Sequence, residues 1–112
     1  MPPATQSDAC IVVLMTAKDL ESATRMGRAV VGEKLAACMN VVPSVRSIYE
    51  WQGAIQDETE VLCLLKTRAS LFAALKDRLV ALHEYDVPEV IALPMSAGHA
   101  PYLDWLLKNT LA

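Results

Sequence analysis

The sequence predicts an α+β fold, a helix-covered antiparallel sheet built in the order β-α-β-β-α-β with one further helix at the end. Three observations carry this. Cys10–Met15 (CIVVLM) and Val61–Leu65 (VLCLL) are apolar at every position, as strands in the middle of a sheet are. Two other extended stretches carry Pro43 and the pair Pro88 and Pro94, and proline confines a strand to a sheet edge or a bulge. Between the strands lie two stretches with apolar residues at helical spacing.

The elements follow in order. Met1–Ala9 (MPPATQSDA) has neither a basic start nor an apolar centre, so it reads as a flexible tail over 1–9 rather than a secretory leader. The folded domain spans 10–112, one domain for a 112-residue chain. Cys10–Met15 is the first strand. Asp19 offers an N-cap and Glu21 first-turn negative charge to a first helix, whose Leu20, Ala23, Met26 and Val30 form one stripe. Gly32 suits its end, while Gly27 inside it costs about 1 kcal/mol relative to alanine.

Leu35–Trp51 is a long extended stretch, interrupted by Pro43 and turned back at Gln52-Gly53. Ala54–Thr67 is its partner, so the two make an extended β-hairpin arm. Ala69–His83 is a second helix with Leu71, Phe72, Leu75, Leu79 and Leu82 on one side, and Thr67 or Ser70 is its expected cap. Val87–Met95 is the fourth strand, and Pro101 opens a last helix carrying Tyr102, Trp105 and Leu106.

This order is the ferredoxin-like one, in which the sheet runs 4-1-3-2 with strands 1 and 3 central. Both helices then lie on one face. Strands 1 and 3 are apolar on both sides, so a second face also needs cover. The composition agrees: 54% of residues are hydrophobic and mean hydropathy is +0.29. The expectation is a homo-oligomer with sheets inward and arms exchanged, and three-fold symmetry fits three sheets around one axis.

Composition also narrows function. A net charge of −3, with no basic cluster among aromatics, argues against nucleic acid as a partner. No apolar run approaches the roughly 20 residues of a membrane span. Cys10, Cys38 and Cys63 are odd in number, widely spaced and form no CxxC pair. A reducing cytoplasmic setting without disulfides is the simplest reading.

Four stretches in chain order resemble the CutA family of divalent-cation tolerance proteins: Glu33–Gly53 (EKLAACMNVVPSVRSIYEWQG), Glu60–Arg68 (EVLCLLKTR), His83–Pro94 (HEYDVPEVIALP) and Tyr102–Leu106 (YLDWL). The resemblance implies a cytoplasmic trimer with interlocking arms, similar in build to PII signalling proteins, and a role in tolerance of copper or another divalent metal. No metal is implied as necessary for folding. The alternative is a PII-like small-ligand sensor or a very stable trimeric scaffold without catalysis.

Two sets of site residues follow. His83 is the first metal-ligand candidate, since a neutral imidazole binds copper or zinc, and Cys38 in LAACMN is the candidate thiol. The structural alternative for His83 is a helix C-terminus interacting with the last carbonyls. Cys10 and Cys63 fall in apolar strands and read as core. The second set is a cleft or interface built from Tyr49, Trp51, Lys66, Thr67, Arg68, Tyr85 and Glu89 at strand ends that meet between copies, suited to a small anion. No nucleophile–base pair stands out, so no catalytic residue is expected.

Overall fold

The computed structural model describes residues 8–112 and has the eight-residue strand β1 (Cys10–Ala17), helix α1 (Leu20–Gly32), β2 (Cys38–Trp51), β3 (Ala54–Arg68), α2 (Phe72–Leu82), β4 (Val90–Pro94) and α3 (Ala100–Lys108). The expected tail lies mostly outside the described residues. Its last two positions are tied down: the Ala9 carbonyl accepts from the Ala69 amide, and the Asp8 carboxylate pairs with Arg68 at 3.2 Å.

The sheet is antiparallel in the order β2-β3-β1-β4, with the two proline-bearing strands at the edges. β1 and β3 pair from Cys10↔Arg68 to Ala17↔Val61. Beyond Val61 the hairpin continues alone, giving a two-stranded arm and a molecule 53 Å long but only 25 and 22 Å across. Gln52 and Gly53 both have positive φ, 52° and 84°, which makes the tip a two-residue turn of the type whose twist suits a hairpin. Pro43 and Ser44 sit in a bulge between Val42 and Val45, which spares the proline a ladder bond it cannot make.

The two helices of the β-α-β-β-α-β unit share one face. Ala23, Met26 and Val30 of α1 and Leu75 and Leu79 of α2 are buried with Ile11, Val13, Met15, Val61, Cys63 and Leu65. Asp19 caps α1 by accepting from the Ser22 amide at 2.8 Å. Gly27 is explained by packing: a Cβ there would overlap the Met39 methyl on β2. Gly32 is only the last helical residue. The left-handed residue that ends α1 is Lys34, at φ 62°, with the Lys34 and Leu35 amides donating to Val31 and Val30 carbonyls.

Three further expectations need correction. Neither Thr67 nor Ser70 caps α2. A 3-10 turn over Ala69–Leu71 leads into it, and the Thr67 hydroxyl instead donates to the Leu35 carbonyl at 2.7 Å. β2 begins at Cys38 and β4 only at Val90, because the chain before each is occupied by the end of α1 and by the 83–89 segment. Third, β1 and β3 are not buried on both faces within one chain. Val12, Leu14, Leu62 and Leu64 are half-buried, flanked by exposed Val42, Ile91 and Leu93. α3 covers one end of that face, with Leu106 buried and Arg68 held by the Thr110 hydroxyl and the Leu107 carbonyl.

Candidate functional site

The stretch after α2 is built as a fixed segment rather than a loose loop. His83 ends the helix in extended conformation, its amide donating to the Leu79 carbonyl. The Tyr85 amide donates to His83 Nδ1 at 3.1 Å, so the ring proton sits on Nε2, which donates to the Thr16 carbonyl at 2.7 Å. Glu84 turns the other way. It accepts from Ser22 Oγ at 2.5 Å and pairs with Lys18 at 3.1 Å, and these contacts hold its carboxyl below the usual carboxylate range. Tyr85 packs against His83 with ring centres 4.6 Å apart and planes tilted by 49°, and donates its hydroxyl to Glu60 at 2.5 Å. Burial, then the Glu60 carboxylate, pushes the Tyr85 phenol up.

Glu60 lies just past the end of β1, where the arm leaves the sheet. One turn of the pleat further, Glu58 accepts from the Tyr49 hydroxyl at 2.6 Å. The arm root and the 83–89 segment thus enclose an open cleft of about 710 Å³. Tyr49, Trp51 and Tyr85 form aromatic walls, and Glu58, Glu60 and Glu89 are among its acids.

The structure divides the expected site residues. Tyr49, Trp51, Tyr85 and Glu89 come together in this cleft. Lys66, Thr67 and Arg68 lie at the other end of β3, ten residues from the Gln56 that opposes Tyr49, which is about 33 Å of strand. There Lys66 donates to the Asn40 side chain, Thr67 is fully buried, and Arg68 braces the C-terminus. Among the described residues of one chain, therefore, no lysine or arginine lines the cleft.

The metal candidates are separated as well. His83 contacts Thr16, whereas Cys38 lies opposite Lys66 and so level with Val12. Four residues of β1 put them about 13 Å apart along the strands, while metal–ligand bonds are ~2 Å. Both His83 nitrogens are engaged, so a metal would have to displace a hydrogen bond to reach it. Cys38 is half-buried, with its Sγ 3.6 Å from the Tyr102 hydroxyl. Burial pushes the Cys63 thiol up to about 11. Among the described residues, no three His, Cys, Asp or Glu side chains converge as a metal site.

Sequence reasoning missed Glu58 and Glu60 as site residues. The signal was present in DETEVL: two acids two apart on a strand share a face. Placing them beside Tyr49 and Tyr85 required the hairpin register and the path of the 83–89 segment.

The family model for the CutA1 divalent ion tolerance proteins matches residues 11–109. The chain is 50% identical over 99 residues to the divalent-cation tolerance protein CutA of Thermus thermophilus, covering 88% of this chain and 96% of that one. It is 48% identical to the chloroplastic CutA of Arabidopsis thaliana over 89% of this chain, but spans only 55% of that relative's length. The crystal structure of CutA1 from Oryza sativa superposes with a TM-score of 0.91 at 46% identity, covering 94% of this chain and 96% of that one. No helix among the described residues is long and apolar enough to cross a membrane. The match runs through the β-arm, the 83–89 segment and the last helix alike, and the chain belongs to the CutA1 family of divalent ion tolerance proteins.

Proposed function

We propose that this protein is a cytoplasmic homotrimer that contributes to divalent-metal tolerance, and that it binds copper weakly at polar sites completed between copies. Family membership supports the tolerance role. The observation that carries the rest is the second sheet face. Val12, Leu14, Leu62, Leu64, Ile91 and Leu93 form one apolar surface that α3 covers only at one end. Covering each such side chain gains about 1.5–3 kcal/mol. Other copies of this chain are the natural cover, because their own open faces are equally apolar and the arm supplies strand edges to pair.

Within one chain His83 and Cys38 are too far apart to share an ion. Assembly is what would place donors from different copies together, with Cys38 the more available of the two. Three free cysteines, Cys10, Cys38 and Cys63, support a reducing compartment.

Analytical ultracentrifugation should give three times the chain mass for the native protein, and Leu64→Glu should reduce the mass or unfold the chain. A stable single copy in both would overturn the assembly. Copper calorimetry on the wild type, Cys38→Ala and His83→Ala should show weak binding, reduced in the Cys38 variant. Equal affinity in all three would remove both residues from the account.

A further inference from the structure

We infer that the 83–89 segment is a strut that fixes the direction in which the β-arm leaves the sheet, with the Tyr85–Glu60 hydrogen bond as its point of attachment. The arm root needs such a device. β1 supports β3 only as far as Ala17↔Val61, so from Glu60 outward the arm is a two-stranded ribbon. The bulge at Pro43 and Ser44 falls at the same level, since Val42 opposes Leu62 and Val45 opposes Glu60. The third strand and the regular ladder are thus lost at one place. Two strands with an interrupted ladder make a hinge.

Tyr85 bridges that place from outside the arm. Its hydroxyl donates to Glu60 at 2.5 Å. Among the described residues this is the one side-chain hydrogen bond between the 83–89 segment and the arm. Farther out, Arg46 bonds Asp57 and Tyr49 bonds Glu58, both from β2 to β3. Those bonds stiffen the arm without aiming it. Glu60 is only 7% exposed, so its bond to Tyr85 is sheltered from competing water.

The strut is anchored at its base on two other elements. His83 Nε2 donates to the Thr16 carbonyl of β1 at 2.7 Å, and its Nδ1 holds the Tyr85 amide at 3.1 Å. Glu84 accepts from Ser22 Oγ of α1 at 2.5 Å and pairs with Lys18 at 3.1 Å and Arg25 at 3.7 Å. A phenol held from β1 and α1 at once gives the arm a reference in the body of the fold. The exposed Ile48 and Ile55 of the arm then meet a neighbouring copy in one orientation. That use rests on the assembly proposed above; the strut itself lies within one chain.

Spin–spin distances within one chain test it, using the full-length protein. Bioorthogonal labels at Ala54 by the arm tip and Asp77 on α2 leave the cysteines untouched. Excess unlabelled protein ensures that only distances inside a chain are read. Tyr85→Phe should widen the distance distribution about twofold, and Glu60→Leu, which removes the acceptor instead, should do the same. Tyr49→Phe deletes a phenol–carboxylate bond of the same kind inside the arm and should leave the width unchanged. An unaltered width in either Tyr85→Phe or Glu60→Leu overturns the inference, as does equal widening in Tyr49→Phe. Sedimentation of the same samples reports on assembly separately: a single-chain wild type would remove the assembly and leave the strut to be judged on its distances.

Discussion

The two ends of the sheet are built on opposite rules. At the end holding Cys10, Arg68 and the C-terminus, polar groups are saturated. Arg68 is 6% exposed and binds Asp8, Thr110 and the Leu107 carbonyl at once. At the arm end, Ile48 and Ile55 stand 66% and 71% exposed, and buried Glu60 has no cationic partner among the described residues. One end closes the chain on itself. The other leaves apolar surface and a carboxylate without a cationic partner, the kind of surface that the proposed assembly would cover.

Breaking the closed end should have the largest effect. Arg68→Ala removes the contacts to the Asp8 carboxylate, the Thr110 hydroxyl and the Leu107 carbonyl together, and should cost about 3 kcal/mol in urea unfolding. A loss below 1 kcal/mol would mean that this end is less committed than its contacts imply. Between the ends, Gly27→Val forces a branched side chain against Met39 and should cost about 2 kcal/mol. Met39→Ala in the same chain should recover part of it.

The arm end should behave differently. Ile48→Ser with Ile55→Ser should change the stability of one chain by less than about 0.5 kcal/mol, while weakening the proposed assembly as followed by sedimentation. Equal loss in both would remove the contrast. One further change should be a gain. Lys34→Gly relieves the left-handed residue after α1 and should stabilise by about 0.5–1 kcal/mol in thermal unfolding.

Acid should expose a further difference. The Glu84, Glu33 and Asp57 carboxyls are all held below their ordinary values, chiefly by hydrogen bonds from Ser22, Arg78 and Arg46 respectively. Folded-state depression means that the unfolded chain binds more protons. The stabilisation is therefore complete above the ordinary carboxylate pKa and disappears as pH falls through the lower folded value. Urea midpoints should drop below about pH 4.5, and Glu84→Gln should flatten part of that slope.

Much of the architecture was legible in the residues. CIVVLM and VLCLL marked the central strands, the prolines marked the edges, and Asp19 capped the first helix as its position implied. Capping of α2 was not legible, because Thr67 had a better acceptor in Leu35, 32 positions away. The site was half legible. Tyr49, Trp51, Tyr85 and Glu89 do meet. Lys66 through Arg68 were grouped with them because strand ends look alike in sequence, and only the length of the arm tells one end from the other.

The bulge at Pro43 and Ser44 has a consequence for how the arm can evolve. In the body of β2 the even-numbered residues oppose Leu62 and Leu64, but past the bulge the odd-numbered ones oppose Glu60, Glu58 and Gln56. One extra residue thus rolls the outer strand over and sets Val45, Ser47 and Tyr49, rather than their even-numbered neighbours, opposite Glu60, Glu58 and Gln56. Removing a single residue there would turn the arm inside out with its composition almost untouched. Insertions and deletions at this spot, more than any replacement, are the route by which such a chain could change which side chains its arm presents on each face.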